Sequence, residues 1–158
     1  MGNMFAGSEV VEIGIQIEKN GKEFYDAVSL SSKDTKAKEV FKFLSQEEER
    51  HIAVFKKMQE SVEQYEPAES YPGEYFAYMN ALAGNHIFTQ KDKGREIART
   101  IKNEKEAVEL GIGFEKDSII FYEGMKRLVP DYDAKIIDEL IGQEKAHLVK
   151  LTELKAQL

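Results

Sequence analysis

Apolar residues recur along this chain every three or four positions rather than every second one, and four long stretches carry that helical rhythm. In the first, over about residues 8–30, Val11, Ile15, Ile17, Phe24, Tyr25 and Val28 mark an inward face with Glu18 set among them. The polar run Ser29-Leu30-Ser31-Ser32-Lys33-Asp34 reads as a short connection, with Asp34 or Ser32 able to cap the next helix. That second helix is expected over about residues 35–62, antiparallel to the first because the loop is short. Its inward stripe is Val40, Phe41, Leu44, Glu48, His51, Ile52, Phe55 and Met58, and Lys38, Lys42, Glu49, Lys56 and Lys57 take the other side.

Pro67, Pro72 and Gly73 then break the pattern, and residues from about 63 to 102 read as a crossover with short helices at Tyr75 to Ala83 and Gly94 to Thr100. Long helices of about 40 Å, at 1.5 Å per residue, give such a segment a distance to span. Asn103 with Glu106 forms a capping-box pattern and opens a third helix over about 104–129, facing inward with Val108, Gly111, Ile112, Glu115, Ile119, Tyr122 and Met125. Pro130-Asp131 ends that helix and starts a fourth, over about 131–157, which buries Ile136, Ile137, Leu140, Ile141, Glu144, His147, Leu148 and Leu151. The expected fold is all-α, one domain over residues 1–158: a four-helix bundle of two antiparallel hairpins joined by a long crossover.

Composition narrows what this bundle can do. A chain of 158 residues with 42% hydrophobic content suits one substantial core. A net charge of −7 argues against a nucleic-acid surface, because binding phosphates needs a basic face. With no cysteine, disulfides, thiolate metal sites and cysteine nucleophiles are excluded, so any metal must use oxygen and nitrogen ligands. Met1 to Ala6 lacks the basic and long apolar parts of a signal peptide, and no apolar run is long enough to span a bilayer. A cytoplasmic protein with no membrane contact is the expectation. The 32% charged content leans toward a heat-tolerant source.

The chemistry lies in a repeat. Glu48 and His51 are three residues apart on one helix, which turns both toward the same place, and Glu144 and His147 repeat the spacing. Glu18 with Tyr25 aligns on Glu115 with Tyr122, each Tyr seven residues after its Glu and therefore on the same face. A duplicated helical hairpin accounts for the arrangement. Counting from the turn near Ser32, Glu18 and Glu48 both lie roughly 22 Å along their helices, and Glu115 and Glu144 stand likewise about the turn near Pro130.

Packing the hairpins together would bring Glu18, Glu48, Glu115, Glu144, His51 and His147 to one level, a set that suits two metal ions. Four crowded carboxylates cannot all stay ionised in an apolar interior, and two divalent cations would cancel their charge. This oxygen-rich set with two imidazoles suits iron or manganese in a redox role, with Zn²⁺ or Co²⁺ able to enter in vitro. One Glu-x-x-His is a weak signal where Glu is so common; two depth-matched copies carry the reading. Gly14, Gly21, Gly111 and Ser118 flank Glu18 and Glu115 at matched offsets, which suggests a pocket for an oxidant beside the metals. His86 has no Glu three residues before it and falls in the crossover, so it reads as a surface or packing residue. Tyr65, Tyr71, Tyr75 and Tyr78 would cover the bundle or line a dimer interface.

Glu18 with Tyr25, Glu48 with His51, Glu115 with Tyr122 and Glu144 with His147, in two hairpins joined by a crossover, resemble the di-iron domain of the rubrerythrins in the ferritin-like superfamily. The resemblance implies a ferritin-like bundle, a carboxylate-bridged centre of two iron ions, reduction of hydrogen peroxide or dioxygen, and a homodimer. It further implies that Glu48 and Glu144 bridge, that Glu18, Glu115, His51 and His147 bind terminally, and that Tyr25 and Tyr122 hydrogen-bond ligand carboxylates. Typical rubrerythrins add a cysteine-bound rubredoxin iron, so a separate rubredoxin-like donor is implied for a sequence without cysteine. They also carry a further glutamate where Ser118 stands here, which leaves peroxidase specificity open. The alternatives are a ferroxidase or iron-handling protein of ferritin type and a structural or binding bundle with a vestigial metal site.

Overall fold

A computed structural model describes residues 7–62 and 73–158, so the expectations for Met1 to Ala6 and for Tyr65, Pro67, Tyr71 and Pro72 lie outside the described residues. Among the described residues six α-helices succeed one another: α1 (Gly7–Ser31), α2 (Thr35–Val62), α3 (Gly73–Asn85), α4 (Lys93–Ala98), α5 (Glu104–Met125) and α6 (Asp131–Gln157). The fold is an all-α bundle. Helix α1 packs along α2 and α5 along α6, and the two hairpins meet through α2 against α6 and α1 against α5.

The helix ends obey local chemistry. Asp34 caps α2, its Oδ1 accepting the Ala37 N–H at 2.8 Å, while the Ser32 hydroxyl donates to the Val28 carbonyl instead. Asn103 caps α5 by accepting the Glu106 N–H at 2.9 Å. The box is displaced by one residue, because Glu106 reaches back to the Lys102 N–H at 2.8 Å rather than to Asn103. Helix α5 ends at Met125, short of the expected 129, and tightens into a 3₁₀ turn over Lys126–Leu128. Pro130 accounts for this: it drives Val129 to extended backbone, φ −129 and ψ 160, so the last turn has to end before it.

The crossover helices fall at Gly73–Asn85 and Lys93–Ala98, close to the expected spans, and both lie against the bundle, α3 on α5 and α4 on α1. Tyr75 donates its hydroxyl to the Gly124 carbonyl, while Tyr78 is exposed. The seat of the second half of the crossover is Asn20, fully buried in the middle of α1. Its Nδ2 donates to the Phe88 and Gln90 carbonyls, each at 2.6 Å, and its Oδ1 accepts the Gly94 N–H at 3.0 Å. Backbones touch here: a Cβ at Gly94 would lie 1.9 Å from the Asn20 carbonyl oxygen, so only glycine lets α4 lie this close.

That covering segment changes the inward face of α5. The expected stripe included Ile112 and Ile119, which are only half-buried, and omitted Phe114 and Phe121, which are buried. Phe114 packs against Phe88 with ring centroids 4.8 Å apart, so the crossover supplies an apolar surface that a bare four-helix pattern lacks. Ile52 and Leu148 are likewise half-buried, at the edges of their stripes.

Candidate metal centre

Four helices each send a glutamate to one level of the interior. Glu18 from α1, Glu48 from α2, Glu115 from α5 and Glu144 from α6 are all fully buried, and His51 and His147 are buried beside them. Helical spacing places each Glu and His of a pair on one face, and the bundle then brings the faces together. Two groups of four result: Glu18, Glu48, His51 and Glu144, and Glu48, Glu115, Glu144 and His147, with ligand atoms in each within 4.8 Å of one another. Glu48 and Glu144 belong to both.

The orientation of these side chains is set from outside the cluster. The Tyr122 hydroxyl donates to Glu18 Oε1 at 2.5 Å and the Tyr25 hydroxyl to Glu115 Oε1 at 2.9 Å, so each tyrosine reaches the other hairpin. Burial first, and then the surrounding glutamates, push both phenols well above their usual range, which keeps them donors. His51 Nε2 lies 2.7 Å from Gln143 Oε1, and His147 Nε2 lies 3.8 Å from Glu47 Oε2. Gln143 and Glu47 each stand immediately before the ligand-type Glu of one pair and approach the histidine of the other, which leaves both Nδ1 atoms facing the carboxylates.

The inward atoms have no hydrogen-bond partners. Glu18 Oε2, both oxygens of Glu48 and of Glu144, Glu115 Oε2, and Nδ1 of His51 and His147 are buried without one. His51 Nδ1 does lie 2.7 Å from Glu144 Oε1, an ion-pair distance without hydrogen-bond geometry. Orphaned polar atoms are costly in a folded interior, about 1–3 kcal/mol each and more when charged. Eight of them converging from six residues fit a metal site, since cations would satisfy them together.

Electrostatics without metal points the same way. Burial and mutual repulsion push Glu48 and Glu144 well above the carboxylate range and Glu115 up to about 7. Burial also pushes Glu18 upward, but the His51 charge and the Tyr122 hydrogen bond help hold it below the ordinary value. The two histidines part. Burial lowers both, but Glu18 and Glu144 override it at His51 and raise it to about 12, whereas His147, repelled by His51, stays lowered. A proton on His51 thus supplies part of the positive charge that the carboxylates lack.

The small residues beside the glutamates have a different role from the one expected. Gly14, Gly21, Gly111 and Ser118 are buried, yet the room at the glycines is taken by neighbours. A Cβ at Gly21 would come within 2.6 Å of the Phe114 ring, one at Gly14 within 3.1 Å of Met125, and one at Gly111 within 3.2 Å of the Tyr25 hydroxyl. They let aromatic and sulfur side chains close over the centre, and no open oxidant pocket lies at those three positions. His86 is a packing residue, buried against Phe114 with ring centroids 5.8 Å apart.

Sequence reasoning missed Gln143, Glu47 and the seat at Asn20. The first two carried a signal, since both hold the same register position in the repeated pairs; Asn20 carried none. Comparisons with curated proteins and with solved structures found no match. The family model that matches is Rubrerythrin, over residues 9–155, and with nearly the whole chain covered the protein belongs to the rubrerythrin family.

Proposed function

We propose that this chain is a di-iron carboxylate redox protein that reduces hydrogen peroxide or dioxygen with electrons from a separate donor protein. The observation that carries the reading is the set of eight buried, unpartnered ligand atoms on six residues at one level of the bundle. Glu48 and Glu144, common to both groups of four, would be shared between the two ions, and Glu18 with His51 and Glu115 with His147 would each hold one of them. Iron is preferred over zinc because the family is a di-iron one and because the donors are mostly oxygen.

When bound, the metals would supply electrons to an oxidant and take them back one at a time from the donor. The protein's own part is to hold and shelter. Tyr122 and Tyr25 fix Glu18 and Glu115 by donating to one oxygen of each, which leaves the other oxygen free for a cation. Gln143 Oε1 accepts from His51 Nε2–H and so keeps Nδ1 turned inward, where loss of its proton would free a lone pair for a cation. Phe114, Phe55 and Met125 close over the glycines and exclude bulk water.

The test is anaerobic loading with Fe²⁺, then rapid mixing with peroxide or with oxygen. The expected result is two irons per chain, oxidised faster by peroxide. Uptake of iron far beyond two per chain, in a large hollow assembly, would indicate the ferritin-type alternative. Ferrous protein that ignores peroxide while reacting quickly with oxygen would refute peroxide reduction.

A further inference from the structure

The crossover brings one polar side chain to the edge of the centre, and its hydrogen bonds have a determinable direction. His86 comes directly after the last residue of α3 and is held by several contacts. Its N–H donates to the Leu82 carbonyl at 3.0 Å, its ring packs against Phe114, and two residues later Phe88 is tied to Asn20. The backbone N–H of Phe88 donates to His86 Nδ1 at 3.1 Å. Burial holds the His86 pKa down at about 4, so the ring is neutral around pH 7. A neutral imidazole that accepts at Nδ1 carries its proton on Nε2. His86 Nε2 lies 3.3 Å from Ser118 Oγ, and in this tautomer the imidazole donates and the serine accepts.

The Ser118 hydroxyl proton is therefore turned away from His86. Ser118 is fully buried and stands three residues after Glu115 and four before Tyr122, on the face of α5 from which both reach the carboxylate cluster. No other hydrogen bond of Ser118 Oγ occurs among the described residues. His86 also lines a pocket of about 60 Å³, together with Leu82, Asn85, Asp117 and Ile120, which is large enough for water-sized molecules.

We propose that His86 is a positioning residue which, by donating to Ser118 Oγ, directs the Ser118 hydroxyl to hydrogen-bond a small anionic or peroxidic ligand at the centre. This rests on the two-metal reading above. His86 does not pass protons through its ring, because the Phe88 amide occupies Nδ1; it acts only through Ser118.

Two measurements test this. Nitrogen-15 NMR of the metal-free protein should show His86 as the neutral Nε2–H tautomer; an Nδ1–H tautomer overturns the proposal. In protein loaded with iron and then oxidised to the ferric state by oxygen or peroxide, azide serves as the probe and its charge-transfer absorption as the readout. Losing a hydrogen bond to an anion should weaken azide binding about tenfold in Ser118→Ala. His86→Phe, which keeps the ring packing, should weaken it similarly, and the double variant no more than Ser118→Ala alone. Should His86→Phe not fold, Ser118→Ala and the NMR tautomer decide the matter. Unchanged azide affinity in Ser118→Ala at two irons per chain overturns this proposal alone; failure of the unsubstituted chain to bind iron overturns it together with the two-metal reading.

Discussion

Replacing Asn20 with Ala should unseat the crossover, and the structure sets the size of the effect. Asn20 makes three hydrogen bonds, two to the carbonyls of Phe88 and Gln90 and one from the Gly94 N–H. At about 1 kcal/mol each, their loss is worth about 3 kcal/mol. Alanine is the better helix former and returns up to about 0.7 kcal/mol, leaving a net loss of about 2–3 kcal/mol. At about 2–4 °C per kcal/mol for a chain of this size, the melting temperature should fall by about 4–12 °C. The melt is best done on metal-free protein, because bound metal would add its own stabilisation. Hydrogen exchange supplies the local readout: the Gly94 amide, protected by Asn20 Oδ1, should exchange much faster in the variant. Asn20→Asp should do no better, since it sets a carboxylate against two carbonyl oxygens. A fall below about 2 °C with an unchanged Gly94 amide would refute the reasoning.

The site makes further predictions. Glu48→Ala and Glu144→Ala each remove a residue common to both groups of four and should take the metal stoichiometry well below two, while Glu18→Ala should spare one ion; equal stoichiometry by elemental analysis in all three would contradict the sharing. Gln143→Leu removes the partner of His51 Nε2 and should weaken metal binding about 10–100-fold, measurable by competition with a chelator, with a smaller loss for Glu47→Leu because its contact is 3.8 Å. Loading metal at pH 7 should release protons to an indicator dye. Burial and charge repulsion raise Glu48 and Glu144, and the glutamates raise His51 to about 12, so these groups hold protons without metal and must lose them to bind it. Metal affinity should accordingly fall as pH is lowered; proton uptake on loading would reverse the assigned sign.

Short-range chemistry made much of this protein legible in the chain alone. Helical periodicity marked out the four long helices and, with the Glu-x-x-His spacing, put each Glu–His pair on one face, because residues three and four apart are neighbours on any helix. Counting from the turns placed Glu18, Glu48, Glu115 and Glu144 at one depth, since the rise per residue is constant. Ends were legible where a cap or proline acts on adjacent residues, as at Asp34, Asn103 and Pro130. Packing alone decided what crosses between elements. That Gln143 meets His51 of another helix, that Tyr122 reaches Glu18 rather than a carboxylate of its own hairpin, and that Asn20 holds a segment some seventy residues away are matters no periodicity encodes. The crossover was least legible because its residues bury themselves against a surface already formed, and that surface turned Phe114 from a flank position into an interior one.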